Sequence, residues 1–148
     1  MLNVIIENAT RLDTEDIMEI SRQCFSYPWT RKSIENEFDN NPAFYLVAKV
    51  NGKAVGFGGF WLIFDEAHIT NIAVLPEYRK LGIGSILLKA MFDKAKSKDA
   101  TSMTLEVRRS NSKALGLYSK FNFVKEGVRP NYYNEPKEDA IIMWNRSI

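Results

Sequence analysis

The chain has 148 residues, 45% of them hydrophobic and 26% charged, the make-up of one soluble globular domain spanning residues 1–148 and not of a disordered segment. Its 20 basic and 18 acidic residues leave a net charge of +2, which argues against a dedicated nucleic-acid binder. Cys24 is the only cysteine and His68 the only histidine, so an internal disulfide is excluded, a reducing cytoplasm is the expected location and no metal site is expected. The first residues, Met1 to Asn8, carry neither the basic stretch nor the apolar run of a signal peptide. Nor does any later run approach the roughly 18 apolar residues of a bilayer span, so no membrane association is expected.

Within that opening segment Val4-Ile5-Ile6 reads as a strand. Asp13, with Asp16 three positions on, reads as the N-cap of a helix that turns Ile17, Ile20, Cys24 and Phe25 inward. Tyr27-Pro28-Trp29 interrupts it, and Thr30 caps a second short helix through Phe38 that ends at Asn40-Asn41-Pro42. Two strands, Ala43 to Val50 and Ala54 to Ile63, flank Asn51-Gly52, a pair suited to a tight turn in which both residues take positive φ. A fourth strand, His68 to Leu75, leads through Pro76-Glu77-Tyr78 into a glycine loop. The helix after it carries Ile86, Leu87, Met91, Phe92 and Ala95 at helical spacing. The next strand alternates Met103, Leu105 and Val107 on one face with Glu106 on the other. Ser110 or Asn111 opens a helix through Phe121, and two last strands, Val124 to Val128 and Ala140 to Trp144, flank a polar, aromatic loop. The order β-α-α-β-β-β-α-β-α-β-β implies an α/β fold with a sheet of mixed direction.

The segment from Ile72 to Gly84 is a strand, a turn and a helix start. The unpaired N–H groups and dipole of a helix N-terminus make an anion site, and Gly82 and Gly84 let a phosphate approach the main chain. Arg79 and Lys80 add positive charge. A tight turn with no ligand uses glycines equally well. Two nucleotide motifs are excluded: Gly84-Ser85-Ile86 lacks the Gly-Lys-Ser/Thr of a Walker A loop. A dinucleotide fingerprint needs a small residue where Leu87 stands, and it follows a first strand, not a fourth.

Arg79, Gly82 and Gly84 match the Arg/Gln-x-x-Gly-x-Gly/Ala loop of the GCN5-related N-acetyltransferases, the GNAT family, and the order of elements is similar to theirs across the chain. The likeness narrows to the RimI-type N-terminal acetyltransferases through several ordered stretches. They include Asn71-Ile72-Ala73-Val74, Leu105-Glu106-Val107-Arg108, Leu117-Tyr118, Asn131-Tyr132-Tyr133 and Glu138-Asp139-Ala140-Ile141-Ile142-Met143. Phe121-Asn122-Phe123 departs from the family's Leu-Gly-Phe, and Asn is the next-best residue for a left-handed helix end.

The resemblance implies a GNAT fold, a mostly antiparallel sheet with flanking helices, and acetyl-coenzyme A as cosubstrate. Ile72, Ala73 and Val74 would run beside pantetheine and the thioester, with main-chain N–H groups near Ala73 and Val74 polarising the carbonyl. Lys80, Leu81, Gly82, Ile83, Gly84 and Ser85, beside Arg79, would hold the pyrophosphate, and Asn111 would bond the pantetheine arm. Glu106 resembles the family's proton acceptor and Tyr118 its proton donor. By pattern alone, Glu106 reads as a solvated strand carboxylate and Tyr118 as a core aromatic. Tyr27, Pro28 and Trp29, with Tyr132 and Tyr133, resemble walls of a peptide site, although Trp29 serves equally well as packing between the first two helices. Glu66 and Asp139 are either attractors of a basic second residue or solvated carboxylates. Cys24, on an apolar helix face, and His68, with no catalytic partner in the local pattern, read as structural.

The acceptor implied is a protein N-terminal α-amine, typified by a small-subunit ribosomal protein beginning with alanine. An α-amine has a pKa of about 7.7–8.0 against about 10.4 for lysine, so neutralising it costs less at pH 7. A small-molecule amine or a lysine side chain is the alternative acceptor. A non-catalytic acetyl-coenzyme A sensor is the alternative from another class.

Overall fold

Among the described residues seven strands and four α-helices form, in the order expected: β1 (Ile5–Asn8), α1 (Thr14–Cys24), α2 (Arg31–Phe38), β2 (Ala43–Val50), β3 (Lys53–Ile63), β4 (Glu66–Val74), α3 (Ile83–Ser97), β5 (Ser102–Arg108), α4 (Ser112–Lys120), β6 (Val124–Tyr133) and β7 (Glu138–Asn145). The computed structural model describes residues 2–148; Met1 of the N-terminal segment lies outside the described residues. No helix among the described residues is long and apolar enough to cross a membrane.

Local chemistry sets most of the element ends. Thr30 caps α2 in a capping box with Ser33, while Asn51 (φ 52°) and Gly52 (φ 80°) both turn left-handed between β2 and β3. Asn122 ends α4 at φ 64°, the conformation for which Asn is the best substitute for Gly. Asp13 behaves otherwise than expected. Thr10 caps a single turn of 3-10 helix over Arg11–Asp13, and the Asp13 carboxylate makes no cap for α1. It bonds the Thr10 N–H at 2.8 Å and Lys49 Nζ at 3.1 Å. Asp13 is nearly fully buried, and a buried carboxylate needs a cation and an N–H more than a helix start needs its oxygen.

The sheet runs β1-β2-β3-β4-β5-β7-β6, and only the β4–β5 pair is parallel, joined by α3 as a parallel pair requires. The buried stripe of α3 is Ile83, Leu87, Leu88, Met91, Phe92 and Ala95; Ile86, expected inward, falls on its solvent edge and Leu88 fills that place. α1 buries Ile17 and Ile20, with Cys24 and Phe25 half-buried at its end.

Two irregularities shape the sheet, the first in its middle. Gly59 pairs with Asn71 and Phe60 with Ile69, so Thr70 is an extra residue, a bulge in β4. A Cβ on Gly59 would overlap the Tyr45 ring, whose hydroxyl reaches Thr70 Oγ1 at 2.9 Å and donates to Glu37 of α2 at 2.7 Å. The second lies at the far edge. Asn131-Tyr132-Tyr133, expected in a loop, close β6 instead, because the Asp139 carboxylate accepts the Asn131 N–H at 2.9 Å and Tyr133 pairs with Glu138.

Candidate active site

β4 and β5 pair only from Glu66 to His68 against Ser102 to Thr104, and past that point no ladder joins them. The main-chain groups of β4 that face β5 are thereby left without a strand partner, which suits an extended ligand that brings its own amides. Between Ile69–Val74 and Leu105–Arg108 opens a cleft of about 760 Å³. Its lining gathers most of the residues singled out from the sequence: Ile72, Ala73 and Val74 from β4, Glu106 from β5, Asn111 and Tyr118 at α4, Tyr27 after α1, and Tyr133 of β6.

At one end of the cleft lies the glycine loop, with Arg79, Lys80, Gly82, Ile83 and Gly84 against it. Lys80 (φ 63°) and Gly82 (φ 81°) are both left-handed, and Gly82 is the N-cap of α3 with no side chain to occupy the helix's free N–H groups. Packing does not require glycine at position 84: a Cβ there would meet only Leu117 Cδ2 at 3.6 Å, an ordinary contact. The space it would fill opens to the cleft, as a phosphate cradle needs. Arg79 is less free than its charge implied. Its Nε donates to the Val74 carbonyl at 3.0 Å and its guanidinium contacts Cys24 Sγ at 3.4 Å, which staples the loop to the end of β4. Leu81 is exposed and Ser85 half-buried in the first turn of α3, and neither lines the cleft.

The other end is built of side chains. Glu106 is ion-paired with Arg129 Nε of β6 at 2.9 Å. The Tyr133 phenol is pushed up to about 12, first by burial and then by the negative charge of Glu106. Burial also pushes the Tyr118 phenol up, with Tyr133 adding to it. Glu106, Tyr118 and Tyr133 all line this one cleft. Tyr118 packs edge-on against Phe123 at 5.7 Å between ring centres, so its ring belongs to the core, as its helical spacing suggested, and its residue also lines the cleft. Asn111 spends its side-chain oxygen on the Ala114 N–H at 3.1 Å, capping α4.

Pro28 and Trp29 do not join this lining. Pro28 is exposed, and Trp29 fills the α1–α2 corner against Tyr45, in a pocket shared with Ile17, Ile34 and Phe57. The apolar residues of both helices surround its indole there, so its burial is satisfied away from the cleft. Tyr132 stands outside, half-exposed and edge-on to Tyr133 at 5.0 Å.

Two arginines carry much of the geometry and were not singled out by sequence reasoning. Besides Arg129, Arg108 stacks 4.5 Å from the centre of the Tyr133 ring and donates to the Asn134 and Pro136 carbonyls, both at 2.9 Å. It also reaches Glu138 at 3.2 Å. Position alone could have flagged Arg108, two residues from Glu106 and so on the same face of β5. Asn71 Oδ1 is the one buried side-chain polar atom without a hydrogen-bond partner among the described residues, and its residue lies at the bulge in the cleft wall.

Residues 14–123 match the Acetyltransferase (GNAT) family. A Bacillus subtilis relative, provisionally named a ribosomal protein bS18-alanine N-acetyltransferase, is 43% identical over 140 residues, 94% of this chain and 93% of that protein. The ribosomal protein bS18-alanine N-acetyltransferase of Escherichia coli K12 is 35% identical over 138 residues, 89% of this chain and 92% of that protein. The crystal structure of the ribosomal-protein alanine N-acetyltransferase from Escherichia coli superimposes with a TM-score of 0.90 at 30% identity, covering 99% of this chain and 96% of that one. The chain therefore belongs to the GNAT family and is an acetyltransferase.

Proposed function

We propose that the chain transfers acetyl from acetyl-coenzyme A to the N-terminal α-amine of a protein, a small-subunit ribosomal protein beginning with alanine, in the cytoplasm. The observation that carries this reading is the cleft opened where β4 and β5 part, with an anion-binding helix start at one end and a carboxylate among tyrosines at the other. Relatives named for that activity, similar over nine-tenths of the chain, support the choice of acceptor.

In this reading the cosubstrate supplies an activated thioester. The loop from Arg79 to Ser85 binds its pyrophosphate, with the open space beside Gly84 admitting it. Ile72, Ala73 and Val74 hold the pantetheine arm along the free edge of β4, with main-chain N–H groups there polarising the carbonyl oxygen. The Asn111 side-chain amide, fixed by its bond to Ala114, faces the same arm. Glu106, directly or through one water, takes a proton from the incoming α-ammonium and frees the nitrogen lone pair. The nitrogen bonds the acetyl carbon, the carbon–sulfur bond breaks, and the Tyr118 phenol gives its proton to the leaving sulfur; the surplus proton on the new amide nitrogen restores the phenol, and the one held by Glu106 passes to water. Tyr27 and Tyr133 flank the amine. Two of the cleft's phenols, Tyr118 and Tyr133, have raised pKa values and therefore hold their protons at neutral pH.

The test is a panel of peptides with free and blocked N-termini, some with an internal lysine, followed by release of the coenzyme A thiol. Acetylation of free N-termini beginning with alanine, and not of blocked peptides containing lysine, is expected. Modification of the lysine alone would move the acceptor to side chains, and binding without turnover would leave a sensor.

A further inference from the structure

Across the sheet from β3 to β6, Trp61 pairs with His68, His68 with Thr104, Thr104 with Trp144, and Trp144 with Val124. Directly paired residues share a face, so these five form a single row. Glu106 lies two residues beyond Thr104 on β5 and therefore points from that same face, about 7 Å along the strand. The row is open to solvent: Trp61 is 39% exposed, Val124 57%, and the His68 side chain 36%. Only Thr104 is sealed, its hydroxyl bonded to the Met143 carbonyl at 2.8 Å. Ile63 continues the face beyond Trp61, and Phe64 at the hairpin tip is 95% exposed in a left-handed conformation (φ 55°) that a bulky residue rarely takes.

The charges on this strip are unequal. Glu37 accepts the Trp61 indole N–H at 2.9 Å and the Tyr45 hydroxyl, and has no Lys or Arg partner among the described residues. Glu66 is bonded only to His68, at 3.0 Å. Arg146 lies 4.1 Å over the Trp144 ring, but Glu126 pairs with it at 2.7 Å. What remains is an aromatic surface on which Glu37 and Glu66 have no Lys or Arg bonded to them, and Arg146, near enough to feel the charge of Glu66, is already paired with Glu126; cations bind well to such a surface.

Building on the acceptor reading above, we infer that this strip is where the acceptor's chain lies after its acetylated residue: an extended segment, basic in character, whose third to sixth residues run from Glu106 toward the β3–β4 turn. Three facts select this occupant. The strip is continuous with the end of the cleft where the amine is served, on the same strand and the same face. Its length from Glu106 to Ser102 is about 14 Å, the span of four extended residues. Its acidic balance matches a basic tail.

The experiment compares a three-residue amide with an eight-residue peptide that has the same first three residues and arginines at positions four and five. With the wild-type enzyme, the longer peptide should show a KM about tenfold lower, the effect of one well-packed aromatic contact. Trp61→Ala should erase that advantage while leaving the short peptide's KM and the acetyl-coenzyme A affinity unchanged. Glu66→Lys, which leaves the aromatic packing in place, should do the same in part, and replacing the two arginines by glutamates should mimic it from the other side. If melting shows that Trp61→Ala has unfolded, the exposed pair Ile63→Ser with Phe64→Ser takes its place under the same criterion. Equal KM for both lengths in the wild type, or variants that act on both peptides alike, would overturn the inference. Absence of turnover with either peptide would instead remove the acceptor reading on which it stands.

Discussion

The two ends of the cleft are made of different materials. The end proposed for the pyrophosphate is main chain: the free edge of β4, left-handed Lys80 and Gly82, and the uncapped start of α3, all within residues 72–85. The end proposed for the acceptor is side chains drawn from elements far apart in sequence: Tyr27 after α1, Glu106 and Arg108 on β5, Arg129 and Tyr133 on β6, and Glu138 on β7. A site made of backbone is fixed by local residue choices and changes little with side-chain substitution, except where a Cβ intrudes. A site made of side chains depends on how strands are paired, and single substitutions there can redirect it. Substitutions at the two ends should therefore fail in different ways.

The largest effect is expected at Glu106. Glu106→Gln keeps size and hydrogen bonding but cannot take the proton, so kcat/KM near pH 7 should fall by roughly 10²–10⁴-fold, the usual value of general-base catalysis. The loss should shrink as pH rises past about 8, where a growing share of α-amine is already neutral. The tyrosines do not confuse that recovery. Their pKa values are raised, Tyr133 to about 12, so protons that an ordinary phenol loses near pH 10 are kept beyond it, and neither titrates between pH 6 and 9.5. Measuring kcat/KM over that range for both proteins decides the matter: profiles that superimpose after scaling, with a lowered melting temperature, would leave Glu106 a structural residue.

Trp29 sharpens the boundary of the acceptor end. It sits in the α1–α2 corner with Ile17, Ile34, Tyr45 and Phe57. Trp29→Ala should cost about 3 kcal/mol of stability. Peptide KM, measured where the variant is folded, should stay within twofold. An unchanged melting curve with a large rise in KM would return Trp29 to the wall of the acceptor site.

Trp29 also shows what could be read from the sequence. Tyr-Pro-Trp marked an interruption between two helices correctly, but which of its rings faces the cleft depends on where α2 lands, and α2 is placed by contacts such as Tyr45 with Glu37 that local patterning does not encode. Thr30, Asn51-Gly52, Asn122 and Gly82 were legible because each answers a local backbone demand. Asp13 misled for the complementary reason: its sequence neighbourhood suits a cap, and its partner, Lys49, lies 36 residues away on β2. The order of elements was fully recoverable. The parting of β4 from β5 was not, since it depends on where a parallel ladder stops, and no residue type signals that.

At the main-chain end, Gly84→Val should leave melting close to that of the parent, because the added Cβ meets only Leu117 at an ordinary distance. Acetyl-coenzyme A affinity, followed by calorimetry, should fall roughly ten- to a hundredfold, equivalent to the 1–3 kcal/mol that an overpacked contact costs. Unchanged affinity in the folded variant would mean that the loop holds no phosphate.

The smallest effect belongs to the ion pair that holds the proposed proton acceptor. In the free protein Arg129 holds Glu106 at 2.9 Å, and an arriving α-ammonium needs the same carboxylate. The arginine side chain is 59% exposed and that of Glu106 32%, so water screens the pair and it is worth at most about 1 kcal/mol. Displacing it therefore costs the acceptor no more than about fivefold in affinity. Arg129→Gln removes that competitor, and the peptide KM should fall by two- to fivefold, with acetyl-coenzyme A affinity unchanged. Arg129→Lys, which keeps the charge, should stay near the parent. The direction of the change is the informative part. A rise in KM would mean that Arg129 stays in place and grips the acceptor, so that Glu106 is reached around it and not in exchange for it.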